Sequence, residues 1–298
     1  DTWAATAIKK WYGPSRAYHF SDDLLPGSLL NDKSEKHLLK MVTDTLQPEI
    51  ARATAVRYLG NIQTQSSADA LIRALRDRKP LVRYHAVRSL ENFPPEVWQH
   101  TAYQILTDKV RAVRIAAADL YHGLPSEVLP ASMRNAYASA DAENRKYLYY
   151  QTDFSVGNVM LADYELQGGD HLNAIVHYVR GLKKDSLMNY ARLNLAAAYN
   201  TVGKNPEALN ALQDAAVIDP QNERIFYNLA LLQYEMNNIP GAMESFQKSI
   251  QLGSTNTSVY YNYGLLLQQQ GKLKEAEQIL RRGFAIDPQA ININYALA

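Results

Sequence analysis

Between residues 155 and 290 the large apolar, small and polar positions recur every 34 residues. With each unit numbered from residues 155, 189, 223 and 257, position 7 is large (Leu161, Leu195, Leu229, Tyr263) and position 8 is small (Ala162, Ala196, Ala230, Gly264). Position 20 is always alanine (Ala174, Ala208, Ala242, Ala276), and position 24 is large again (Tyr178, Leu212, Phe246, Leu280). Position 27 is Gly181, Ala215, Ser249 or Gly283. The spacing predicts two helices per unit. Small residues let them approach closely, and the large ones fill the space between them. Gly169, Gly203 and Gly271 fall between the two helices, where a left-handed residue is needed, and Asn237 takes that place in the third unit. Pro220 and Pro288 end second helices.

A second period, of 31 residues, runs through 34–123. Arg52, Arg83 and Arg114 are followed three residues on by Ala55, Ala86 and Ala117, and seven on by Leu59, Leu90 and Tyr121. Those offsets share one helical face. Asp77 and Asp108 each precede an arginine by six residues. Leu46 stands at the corresponding place before Arg52, so Arg52 is expected to lack a carboxylate partner.

The 34-residue unit closely resembles the tetratricopeptide repeat. The stretches from Asp77 and Asp108, with their Asp…Val-Arg…Ala…Leu pattern, resemble HEAT repeats. Together these resemblances imply an all-α superhelix, a solenoid of HEAT-like repeats followed by tetratricopeptide repeats. In HEAT arrays the Asp and Arg pair between neighbouring repeats as a ladder; here that role falls to Asp77, Arg83, Asp108 and Arg114. Four divisions are expected. Residues 1–33 form an irregular aromatic segment (Trp3, Trp11, Tyr18 and Phe20 among Gly13, Pro14, Pro26 and Gly27) packed on the first HEAT helices. HEAT-like repeats occupy 34–127, a long connecting helix 128–154, and the tetratricopeptide array 155–298, which ends in a partial fifth repeat.

The lead-in Trp-Tyr-Gly-Pro-Ser-Arg-Ala-Tyr-His-Phe at 11–20, followed by this order of arrays, resembles the C-terminal half of bacterial multihaem c-type cytochromes that carry tetratricopeptide repeats. That resemblance implies an exported protein, periplasmic or extracellular, in an electron-transfer setting. It places haem c on a linked or partner domain, with a cytochrome c domain or subunit as partner, and no cofactor in this segment. It also makes His19 the haem-proximal residue.

Composition narrows the chemistry. The chain has no cysteine, which excludes disulfides, thiolate metal sites and covalent haem attachment within it. A net charge of +1 asks for no nucleic acid or anionic membrane, and no apolar run is long enough for a membrane span. Arg73, Arg76, Arg78, Arg83, Arg88, Arg111 and Arg114 could line up as a basic stripe, but interspersed acids argue against nucleic acid. His171 and His177 are six apart, a poor spacing for a shared metal. No phosphate-loop, dinucleotide or hydrolase motif is present. The chain begins at Asp1 rather than methionine, and is expected to be processed or trimmed.

The tetratricopeptide resemblance puts positions 2, 5, 6, 9, 12 and 13 of each unit on a concave groove. Position 6 is Asn194, Asn228 and Asn262, with Met160 breaking the series. Each amide offers a donor and an acceptor to an extended peptide or, alternatively, to a neighbouring helix. Tyr190, Tyr227, Tyr234, Tyr261 and Gln268 occupy other groove positions. Tyrosine suits an interface because it buries area at low entropy cost and keeps a polar tip. Paired lysines for a C-terminal carboxylate are missing. The expectation is a non-enzymatic scaffold that binds a protein or peptide segment, within a multihaem cytochrome system. Alternatives are the structural tail of a haem-bearing electron-transfer polypeptide and the recruiting domain of a larger enzyme.

Overall fold

The structure is a computed structural model that describes residues 2–13, 18–31 and 33–297. Every regular element among them is helical. The chain divides into two compact units, Asp1–Tyr147 and Leu148–Ala298.

The first unit opens with α1 (Thr2–Tyr12) and α2 (Ser21–Ser28), not with the irregular segment expected over 1–33. Ala4, Ala5, Ala7, Lys9 and Lys10 are good helix formers that outweigh the aromatic content. Gly13, at φ 87°, follows the helix. Trp3 and Trp11 of α1 are exposed, so this helix does not pack on the HEAT core as expected. Phe20 and Leu24 do. Residues 14–17 of the lead-in lie outside the described residues.

Three repeats follow. α3 (Ser34–Thr43) pairs with α4 (Glu49–Leu59), and α5 (Gln65–Ala74) with α6 (Pro80–Leu90). Thr64 caps α5 by accepting from the Ser67 N–H at 3.1 Å, and Pro80 opens α6 at a position where no donor is lost. The third repeat replaces its first helix with the short α7 (Pro95–Trp98) and a 3-10 helix, Ala102–Thr107, before α8 (Arg111–Tyr121). The second helices α4, α6 and α8 pack in a row. Ala55, Ala86, Ala117, Leu59, Leu90 and Tyr121 are all buried along that row.

The connecting helix is shorter than the expected 128–154. Pro125 and Pro130 force extended backbone before them and permit only 3-10 turns at Ser126–Val128 and Ala131–Met133. Continuous helix, α9, runs over Arg134–Tyr150.

Each periodic arginine reaches forward, Arg52 and Arg83 to the next repeat and Arg114 to the helix that follows the last one. Arg52 donates to Asp77 at 3.2 Å through Nη1, and Arg83 to Asp108 at 2.6 and 2.9 Å. Arg114 donates to both oxygens of Glu143 on α9 at 2.8 Å. The expectation that Arg52 lacks a partner is therefore wrong. The carboxylate comes from the following repeat, so Leu46 is irrelevant, and Glu143 serves the last arginine. A second donor, Nη1, ties Arg83 to the Asp77 carbonyl and Arg114 to the Asp108 carbonyl, both at 2.8 Å. Burial raises the Asp77 and Asp108 carboxyls, but the arginine hydrogen bonds, a backbone N–H bond from Lys79 or Val110 and the arginine charges together outweigh it and hold both below the usual carboxylate value.

The second unit is a stack of helix pairs. α10 (Ser155–Gln167) pairs with α11 (His171–Lys184), α12 (Asn189–Thr201) with α13 (Asn205–Ile218), α14 (Glu223–Glu235) with α15 (Ile239–Gln251) and α16 (Thr257–Gln269) with α17 (Leu273–Ile286). α18 (Ile291–Leu297) packs on α16 and α17 through the buried Ile293, and Ala298 lies outside the described residues. The four position-20 alanines are fully buried, as are the large residues at position 24. Gly169, Gly203, Gly271 and Asn237 all carry positive φ at the intra-pair turns. Asp170, Asn222, Asn238 and Asn256 cap α11, α14, α15 and α16 with side-chain oxygens.

Three outcomes are expected. Arg83→Met strips a buried carboxylate of its partner and should cost about 3 kcal/mol, read by thermal or denaturant unfolding. Because Asp77 and Asp108 titrate lower when folded, their contribution is present above the ordinary carboxylate pKa and lost as pH falls through the folded one. The loss of stability on acidification should shrink in Arg83→Met. In the second unit, a Cβ at Gly157 would sit 1.8 Å from the Gln151 carbonyl oxygen. Gly157→Ala should therefore destabilise by about 3 kcal/mol, the upper end for overpacking.

Candidate functional site

Positions 2, 5, 6, 9, 12 and 13 of α10, α12, α14 and α16 share a helix face. The close approach of each helix pair through its small residues sets that face. Between α10 and α12 the centre is Asp163, which sequence reasoning passed over. It accepts from the Tyr178 and Tyr190 hydroxyls and from Asn194 Nδ2 at 3.1 Å. Tyr178 is buried, whereas Tyr190 is about half exposed. Burial and the Asp163 carboxylate push both phenols well above the ordinary tyrosine value. Asp163 stands one turn after Met160, the residue that breaks the asparagine series, so only a contact across helices could have revealed it.

Asn262 Nδ2 donates to the Tyr227 hydroxyl at 3.1 Å, so two of the three series asparagines reach back to the preceding first helix. Asn228, between them, is half-buried with no hydrogen-bond partner among the described residues. Tyr261 and Gln268 are half-buried. A second row lies along positions 12 and 13. Asn200 Nδ2 donates to Glu235 at 2.7 Å, and the Tyr234 hydroxyl donates to Gln269 at 3.3 Å. Gln269, not Gln268, is thus the glutamine that Tyr234 meets.

Between α14 and α16 this face sinks into a recess of about 160 Å³. Its floor and walls are Phe246, Leu266, Leu231 and Leu265, and Tyr234, Asn262 and Gln269 form the rim. Residues 148–298 carry 11 basic and 14 acidic residues, yet the groove positions of α12, α14 and α16 include only Arg224 and Glu235. Apart from Asp163 on α10, the face is almost uncharged.

Elsewhere the sequence candidates disperse. His19 is exposed, its Nδ1 2.8 Å from the Ser21 hydroxyl. His177 Nε2 lies 3.8 Å from a Glu165 carboxylate oxygen. Burial and the nearby Arg180 lower the His177 pKa. Among the described residues no three groups could hold a metal ion, and no helix is long and apolar enough to cross a membrane. Arg83, Arg88 and Arg114 are engaged in ion pairs. The basic stripe is reduced to scattered exposed cations.

A HEAT-repeat family model matches residues 35–121, and two tetratricopeptide-repeat models match 198–237 and 257–290. The chain carries a tetratricopeptide array preceded by HEAT-like repeats. Similar solved structures include MamA, at 23% identity over 46% of this chain and 80% of that one, with a TM-score of 0.43. YrrB, a TPR protein with an unusual peptide-binding site, matches at 19% identity over 51% and 78%, with a TM-score of 0.44. MamA from Desulfovibrio magneticus RS-1 matches at 17% over 58% and 97%, with a TM-score of 0.45. These likenesses reach no further than helical-repeat architecture. No curated protein matches the array-bearing chain.

Asp163→Asn removes the charge that holds the Tyr190 proton. The Tyr190 phenol should then titrate closer to the ordinary value of about 10. An NMR titration of ring-labelled tyrosine checks this, and an unmoved Tyr190 would contradict the assigned cluster.

Proposed function

We propose that the tetratricopeptide array is a non-enzymatic protein-interaction module that holds an extended segment of a partner protein along the first-helix face of α12, α14 and α16. The observation that carries this reading is the state of the polar groups there. Tyr190 and Tyr234 are each about half exposed yet tied by hydrogen bonds, and Asn228 is half-buried with its amide unused. Aromatic groups fixed in advance lose little entropy on binding, and an amide supplies both partners that a peptide bond needs. The near-absence of charge favours an uncharged stretch of chain held by shape and backbone hydrogen bonds over electrostatic capture.

A peptide selected from a random 12-residue display library on the full chain provides the probe. Asn228→Ala combined with Asn262→Ala should weaken it roughly thirtyfold, at about 1 kcal/mol for each of the two hydrogen bonds lost, with far-UV helicity unchanged. Equal affinity in the double variant would count against this face.

We infer further that the parent system is a c-type multihaem one in an exported compartment, with haem on a linked or partner domain. What supports this is the lead-in at 11–20 and the order of the arrays. Without cysteine this chain has no residue to attach haem c. Protein purified from its source should show a Soret band and, if the haem domain is linked, a mass well above 33.5 kDa. A mass near that value, with no haem protein co-purifying, would contradict the inference.

A further inference from the structure

We propose that the recess between α14 and α16 is an anchor socket for one leucine- or phenylalanine-sized side chain of the partner segment, whose adjoining backbone N–H donates to Asn262 Oδ1. The proposal rests on the groove reading and adds the chemistry of the occupant and its register on the array.

Size is the first argument. The recess holds about 160 Å³, and an apolar cavity of about 150 Å³ is enough to take up benzene. Its lining is the second. Phe246 and Leu266 are 2% exposed and form a dry floor, while Leu231 and Leu265 are only half-buried. An inserted hydrocarbon group would complete the burial of both leucines. No carboxylate or cation lines the recess, so a charged side chain would lose its water and gain no partner.

The rim is the third. Asn262 spends one Nδ2 hydrogen on Tyr227, which fixes the amide and leaves Oδ1 as an acceptor without a partner among the described residues. The 3.3 Å bond from Tyr234 to Gln269 is long for a hydroxyl donor, and a peptide group can replace it at little cost. The preceding interface, between α12 and α14, keeps Asn228, Leu231 and Leu232 in the places of Asn262, Leu265 and Leu266 but differs at the remaining positions. Ala197 and Leu212 stand where Leu231 and Phe246 stand here, and Glu235, held by Asn200, brings a carboxylate to the rim. An apolar side chain therefore has one preferred place, and that sets the register of the bound segment.

The test uses N-acetyl-leucinamide and N-acetyl-phenylalaninamide, titrated into the full chain and followed by NMR. N-acetyl-glycinamide and an N-acetyl-glutamate amide serve as comparisons. Saturable shifts of the Leu231 and Leu265 methyls and the Asn262 side-chain amide are expected in the millimolar range for the first two. At least tenfold weaker binding is expected for the others. Leu265→Trp fills the socket and should abolish the shifts with helicity retained, and Leu231→Trp serves if that variant fails to fold. No saturable shift, shifts that survive both tryptophan variants, or equal binding of the glutamate derivative would overturn the socket. Library peptides that weaken with Asn228→Ala and Asn262→Ala but not with either tryptophan variant overturn the socket alone. Peptides indifferent to all four overturn socket and groove together.

Discussion

Two helices can approach only as closely as the side chains between them allow, and in residues 155–290 that limit is set by one alanine per unit. Ala174, Ala208, Ala242 and Ala276 are each fully buried. Opposite them stand Ala162, Ala196, Ala230 and Gly264, where a Cβ on the last would come within 2.7 Å of Leu280. The large residue at position 24 then fills the gap between neighbouring first helices. At Phe246 it does so incompletely, and the unfilled remainder is the recess beside Tyr234 and Asn262. The site is thus a by-product of the packing rule that builds the array: the same 34-residue repeat places the floor, the walls and the rim.

The HEAT-like repeats use a different device. Their second helices also meet through alanines, but each arginine crosses to a carboxylate of the element that follows (the next repeat, or α9 for Arg114) and, for Arg83 and Arg114, to a carbonyl of its own preceding loop. A largely buried guanidinium tied to both a carboxylate and a carbonyl is costly to break, because removing either partner leaves a charge without its counterpart. It also withdraws those arginines from the surface. A row of arginines in sequence is therefore not a row of available charge.

Most of the fold was legible because period and residue size are written directly in the chain. Small, large and left-handed positions recur at fixed intervals and need no knowledge of distant contacts. The misreadings came where local signals competed. Aromatic and glycine content over 1–33 hid an alanine-rich helix, and Pro130 shortened the connecting helix that its polar pattern suggested. The direction of the arginine pairs was missed because periodicity gives spacing but not which neighbour a side chain faces. The candidate site was half legible. Tyr190, Tyr227, Tyr234 and the asparagine series stood out by register. Asp163, Glu235 and Gln269 did not, since each gains its place from a partner 27 to 35 residues away.

The central claim is that an extended, largely uncharged segment lies on the first-helix face of α12, α14 and α16. The most direct measurement is a chemical-shift map of the full chain saturated with one library-selected peptide, resolved at asparagine and glutamine side-chain amides and leucine methyls. The account predicts that the largest changes fall on Asn194, Asn228, Leu231, Asn262, Leu265 and Gln269. Changes concentrated on α13, α15 and α17, or within residues 1–147, would contradict it.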